Sequence, residues 1–141
     1  MKVEASVVIE RPVKAVFRFY ADEHVRNHPR WDPDIELERT SLGPIGVGTV
    51  ILRRNSRSGV PVEGTMTITE FEPERTMSGV IREGPVETRG AATFQALGPD
   101  RTKLTMGADM PWLTPGSDPT PISRLMERSV KNIKELIEAE E

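Results

Sequence analysis

One stretch of the sequence limits the fold more than any other. Ile122, Leu125, Met126, Ser129, Ile133, Leu136 and Ile137 fall on a single helical face. Thr120-Pro121 opens that helix as an N-cap followed by proline at the first helical position. Between Trp31 and Met110 the pattern is instead strand-like, with runs near Ile35–Thr40, Thr49–Asn55, Val62–Glu72, Met77–Arg82, Val86–Leu97 and Thr102–Met110. Gly, Pro, Asp and Ser fill the gaps and mark turns. Strands joined by short turns form antiparallel hairpins. A sheet with one apolar face needs a cover, and only the last helix is long enough to supply it. The expected class is α+β, a curved antiparallel sheet wrapped around a long C-terminal helix.

Ahead of Trp31, Val3, Ala5, Val7 and Ile9 alternate as a strand. Pro12 suits the first turn of a short helix carrying Val13, Val16, Phe17 and Tyr20. A second short helix is expected from about Asp22 to Asn27, with Pro29 and Pro33 breaking the chain around Trp31. Four prolines between Pro111 and Pro121 rule out long regular structure there. At 141 residues without repeats or linkers, the chain reads as one domain over 1–141.

Composition removes several functions. A net charge of -3 offers nucleic acid or an anionic membrane no electrostatic attraction. The absence of cysteine excludes disulfides, thiolate nucleophiles and Cys-based zinc sites. Met1-Lys2-Val3-Glu4 starts no secretory signal, and no stretch approaches the roughly 18 apolar residues of a membrane span, so a cytoplasmic protein is expected.

Hairpin register predicts the inside of the sheet, because paired residues share a face. A two-residue turn at Pro73-Glu74 pairs Ile68 with Gly79 and Met66 with Ile81. A turn at Glu83-Gly84 pairs Ile81 with Val86 and Gly79 with Thr88. A loop at Gly98-Pro99-Asp100 pairs Phe94 with Leu104, Ala92 with Met106 and Gly90 with Ala108. The three turns agree on one inward face. It holds Val62, Gly64, Met66, Ile68, Met77, Gly79, Ile81, Val86, Thr88, Gly90, Ala92, Phe94, Leu104, Met106, Ala108 and Met110. Glu63, Thr65, Thr67, Glu87, Arg89, Thr93, Gln95, Thr105 and Asp109 face solvent. Gly79, Gly90, Ala92 and Ala108 are small where a close-packed sheet would carry Val, Ile or Leu. They leave room for a ligand, permit the sheet to bend, or both. A cavity of roughly 300 Å³ or more is expected between this patch and Ile122, Met126 and Ser129.

Little catalytic apparatus is visible. His24 and His28 lie four residues apart, but no HExxH pattern or third ligand joins them, so they are expected in solvent rather than on a metal. Gly43, Gly46 and Gly48 precede a strand, not a helix, and make no phosphate loop. No G-x-S-x-G occurs. Arg53 is the weak candidate for catalysis. A two-residue Ser58-Gly59 turn pairs it with Gly64 and turns it inward, where it would hold a carboxylate or enolate oxygen; an odd-numbered loop turns Arg54 inward instead. The alternative for Arg53 is a solvated place at the sheet edge. Glu70 is in phase with Ile68 but sits near a strand end. Ser129 either donates to a ligand or bonds its own helix. Phe19, Tyr20 and Phe94 are expected in the core.

Four features together resemble the START-like, helix-grip superfamily, in its polyketide cyclase/dehydrase and lipid-transport branch. Arg11-Pro12-Val13-Lys14-Ala15-Val16-Phe17 is similar to that family's opening "strand, x-Pro-x-x-x-Val-Phe". Asn27-His28-Pro29-Arg30-Trp31-Asp32-Pro33 resembles its "x-x-Pro-x-Trp-x-Pro" turn. Gly46-Val47-Gly48-Thr49, followed by Ile68-Thr69-Glu70-Phe71-Glu72-Pro73, resembles its "Gly-x-Gly-Thr … Val-Thr-Glu-Tyr-x-Pro" strands. The terminal helix completes the order. The resemblance implies a cavity between sheet and helix, with Trp31 and Trp112 near its mouth, where they stack on a ligand or plug the core. It implies no single activity. The expected lining is Trp31, Ile51, Arg53, Met66, Ile68, Met77, Gly79, Ile81, Thr88, Gly90, Ala92, Met106, Ala108, Met110, Trp112, Ile122, Met126 and Ser129. The expected partner is a small hydrophobic or aromatic, lipid- or polyketide-like molecule, with no cofactor and no metal. A cyclase or dehydratase using Arg53 and ordered water, and an adaptor with a vestigial cavity, are the alternatives.

Overall fold

The computed structural model describes residues 1–40, 43–114 and 116–140; Pro115, one of the four prolines noted above, lies outside them. The elements run β1 (Lys2–Ile9), α1 (Val13–Phe17), a π-helical turn (Arg18–Asp22), α2 (His24–Trp31), β2 (Ile35–Arg39), β3 (Val50–Asn55), β4 (Val62–Glu72), β5 (Thr76–Glu83), β6 (Val86–Gly98), β7 (Arg101–Asp109) and α3 (Thr120–Ala139). All seven strands form one antiparallel sheet in the order β1-β7-β6-β5-β4-β3-β2. The first strand lies beside the last, with Val3 opposite Ala108 and Ala5 opposite Met106.

Register follows the alternation, with three differences. Phe94 pairs with Leu104, Ala92 with Met106, and Gly90 with Ala108, as expected, but a bulge between Ala96 and Gly98 pairs Gly98 with Arg101 and leaves Pro99-Asp100 as the turn. Ile68 pairs with Gly79 and Met66 with Ile81, but a bulge between Ile68 and Glu70 shifts the end of that hairpin. Phe71 therefore faces Met77, and the turn has three residues rather than two. The next turn is Gly84-Pro85, not Glu83-Gly84, so Ile81 pairs with Thr88 and Glu83 with Val86. Proline has no N–H for the ladder and Gly84 sits at φ 62°, which suits glycine, so these two residues take the turn. A slip of two leaves every side chain on its expected face. It also extends β5 to Glu83, in phase with Ile81.

Two helix boundaries differ from the expected ones. Helix α2 continues through Pro29 to Trp31. The proline costs the helix one backbone donor, and the Asp32 N–H still closes the last turn on the His28 carbonyl at 3.0 Å. Thr120 does not cap α3 with its side chain. It is the first helical residue, and its own N–H donates to Asp118 Oδ1 at 3.0 Å.

The core fills part of the space under the sheet. Ile9, Val16, Phe17, Ile51, Ile68, Ala92, Phe94, Leu104, Ile133 and Ile137 pack there out of solvent. The Phe17 ring meets Phe71 and Phe94 edge-on, with centroids 5.3 and 5.0 Å away. In α3 the buried residues are Ser129, Val130, Ile133 and Ile137, from the middle of the helix onward. Ile122, Leu125 and Met126 stay half-buried because the first half of the helix lies over open space.

Candidate functional site

That open space is a cavity of about 740 Å³, within the range of small-molecule sites. Met66, Met77, Gly79, Ile81, Thr88 and Gly90 line it from β4–β6, and Met106, Ala108 and Met110 from β7 and the residue after it. Ile122, Leu125, Met126 and Ser129 line it from α3. Of the four small residues expected to make room, Gly79, Gly90 and Ala108 line the cavity, and Gly90 leaves the space. A Cβ placed on Gly90 would meet no atom nearer than 4.0 Å, whereas at Gly79 it would press on the Thr67 carbonyl and Met66. Ile51, Ile68 and Ala92, expected in the lining, belong to the packed core instead. They share the inward face but are buried among the core side chains.

Trp112 stands at the edge, 45% exposed, with Nε1 donating to Thr88 Oγ1 at 3.1 Å. Trp31 is buried, stacks on Tyr20 at 5.2 Å and on His28 at 4.9 Å, and still lines the cavity. Its indole Nε1 is buried without a hydrogen-bond partner.

One region of the lining is polar. Arg53, rather than Arg54, faces inward opposite Gly64 and is buried; Arg54 points out to Glu63, 2.9 Å away. The solvated edge position for Arg53 is thus excluded. Its nearest counter-charge is Glu83, with Nε 3.7 Å from Oε2, too long for a hydrogen bond. Arg53 Nε and Nη1 and Glu83 Oε2 are all buried without hydrogen bonds. Burial pulls the guanidinium pKa down, and Glu83 opposes the shift. Gly64 permits the approach. A Cβ there would lie 2.2 Å from the Arg82 carbonyl and 2.9 Å from Glu83 Cγ. Asp32, bonded to Arg57, completes the charged group.

The histidines are not in solvent. Glu23, at φ -105° and ψ 29°, interrupts the helical run between the π turn and α2. Its N–H goes back to Arg18, and side chains from α2 take the following carbonyls. Asn27 Nδ2 donates to the Phe19 carbonyl at 2.9 Å, and His24 Nδ1 bonds the Tyr20 carbonyl at 2.8 Å. His28 Nδ1 lies 3.1 Å from His24 Nε2. His24 is buried, and burial lowers its pKa to about 4. His28 is held well below the usual histidine range by burial, then by His24, Arg53 and Arg57. Burial pushes the Tyr20 phenol up. Among the described residues no cluster of three or more His, Asp or Glu is placed to hold a metal.

Sequence reasoning missed Glu83, Tyr20, Asp32, Arg57 and both histidines as lining residues. Glu83 was hidden by its assignment to a turn. The Tyr20–His24–His28 spacing of four was a usable signal for one helical flank; the carbonyl that holds His24 was not.

The family model for polyketide cyclase / dehydrase and lipid transport matches residues 1–138. The chain belongs to that family. A START superfamily protein from Mycobacterium smegmatis is 15% identical, with 97% of each chain covered and a TM-score of 0.76. The Zhui aromatase/cyclase from Streptomyces sp. R1128 is 17% identical, covering 98% of this chain and 93% of that one, at a TM-score of 0.73. Protein CV1439 from Chromobacterium violaceum is 15% identical over 99% and 98% of the two chains, at 0.76. No curated protein matches the sequence. At these identities the likeness shows the fold, which in this polyketide cyclase/dehydrase and lipid-transport member is the START-like helix-grip arrangement of sheet around helix.

Proposed function

We propose that the protein binds a small, largely apolar, aromatic or polyketide-like molecule whose oxygen-bearing end rests at Arg53. One observation carries the reading. In a cavity whose lining surface is mostly apolar and includes five methionines, the Arg53 guanidinium keeps two buried nitrogens without partners. A buried cation with idle donors costs stability until something accepts from it. A ligand carbonyl or carboxylate is suited to do so, and Trp31 Nε1 offers a further donor. The adaptor reading fits poorly, since it calls for a filled interior.

The enzyme reading gains from a specific observation. Ionisable groups in the lining are more numerous than the alternation implied: Arg53, Glu83, His28, Asp32 and Arg57 all reach it. An arginine opposite a developing oxyanion, with a neutral imidazole in the same wall, would serve a cyclisation or dehydration. Native mass spectrometry of freshly purified protein tests the main reading. A retained small organic molecule, displaced by an aromatic acid, is expected. Protein that neither retains a molecule nor takes up naphthoate would overturn it.

A further inference from the structure

The two histidines do more than fill the wall of the cavity. A backbone carbonyl only accepts, so the 2.8 Å contact with the Tyr20 carbonyl means that His24 Nδ1 carries its proton. His24 Nε2 is then a lone pair. The His28 Nδ1 that lies 3.1 Å from it must be the donor. This leaves the lone pair of His28 on Nε2, with no hydrogen-bond partner among the described residues, on a ring that lines the cavity. Stacking on Trp31, at 4.9 Å and 16°, fixes the plane of that ring. One carbonyl thus sets two tautomers in sequence.

We infer that the Tyr20–His24–His28 relay presents a fixed hydrogen-bond acceptor at His28 Nε2, which selects ligands bearing a neutral hydroxyl, a phenol or an enol, over the same skeleton without one. The inference rests on the cavity being a small-molecule site and adds the chemistry of a second polar contact, separate from Arg53. Burial first, and then neighbouring charges, keep the acceptor neutral. Arg53 and Arg57, from β3 and the loop after it, both oppose protonation of His28, as does His24 on its own helix. The acidic groups in the same wall are Asp32, which is bonded to Arg57, and Glu83, which is paired with Arg53. Each carboxylate is thus paired with an arginine. Tyr20 contributes its carbonyl here, and its phenol is kept protonated by burial. From α3, Ser129 lines the cavity, and Asn132 donates to the Trp31 carbonyl at 3.0 Å. His24 is a positioning residue in this scheme, and His28 is the group that would touch ligand.

The test has two arms. Nitrogen-15 spectra of the free protein at neutral pH should show pyridine-like Nε2 and pyrrole-like Nδ1 on both histidines. In His24→Phe, His28 should lose that fixed pattern and average between tautomers. The second arm titrates naphthol and its methyl ether into the protein. Wild type should favour naphthol roughly five- to tenfold, the usual worth of one neutral hydrogen bond. His28→Phe keeps the stack on Trp31 and should lower naphthol affinity by that factor while leaving the ether unchanged. A protonated His28 Nε2 in wild type would overturn the inference, and so would equal affinity for the two probes. A preference surviving His28→Phe would do the same, by placing the acceptor elsewhere. If neither probe binds, the small-molecule reading itself fails; if both bind equally, that reading stands and only this inference falls. Should His28→Phe not fold, the wild-type spectra and the wild-type preference each still decide the matter.

Discussion

Single residues decide how much charge this cavity holds. Parity places Arg53 rather than Arg54 inside, opposite Gly64; alternation alone left the two open, because an odd-numbered β3–β4 loop would have turned Arg54 inward. The partner of Arg53 was not readable, because Glu83 belongs to a strand only once Gly84-Pro85 takes the turn. Gly64 is the residue that lets the two meet. Gly64→Ala should force the end of β5 away and destabilise the protein by about 1–3 kcal/mol, read from the urea midpoint. At Gly90 an added Cβ meets nothing nearer than the Gly107 carbonyl at 4.0 Å, which leaves room for Gly90→Val. It should fold normally and reduce uptake of an apolar dye by shrinking the cavity. His24 yields a pH dependence. Its folded pKa, about 4, is below the unfolded value of 6.5, so the unfolded chain binds the extra proton. Stability from the neutral buried form is complete above about pH 6.5 and is lost as pH falls toward 4. Urea midpoints at pH 7 and pH 4.5 should therefore differ more in wild type than in His24→Phe. Equal differences would show that His24 does not titrate as described.

Elements were easier to read than side-chain partners. Alternation places inward residues correctly even where a turn is misassigned by two, because such a slip preserves the face. Ile51, Ile68 and Ala92 show the limit of that logic. Facing inward does not separate the packed part from the open part, which depends on where α1 and α3 lie. The histidines show another limit: their environment comes from a carbonyl freed at a π turn, and no periodicity marks it. Helix α3 itself divides at its middle. Ile133 is fully buried, while Met126 is half-buried against the cavity. Ile133→Ala should cost about 2–5 kcal/mol, the range for a large core side chain, and Met126→Ala under about 1 kcal/mol, by chemical denaturation. Comparable losses would mean that the first half of the helix is as tightly packed as the second.

At the scale of the whole molecule, a sheet of seven strands closes over one helix whose first half lies over open space. The order of elements and four short motifs were enough to place the chain in its family, since that order is the fold. Activity does not follow from it. The central claim is a cavity with an apolar body and a cationic anchor. Calorimetric titration of naphthoate and naphthamide into wild type and Arg53→Met tests it most directly. The amide serves as the neutral probe of the same shape, and its unchanged binding certifies the fold of the variant. The account predicts that Arg53→Met weakens naphthoate about tenfold or more, as loss of a charge-assisted hydrogen bond should, and spares naphthamide. Equal affinity of wild type and Arg53→Met for naphthoate, or no binding of either probe to wild type, would contradict it.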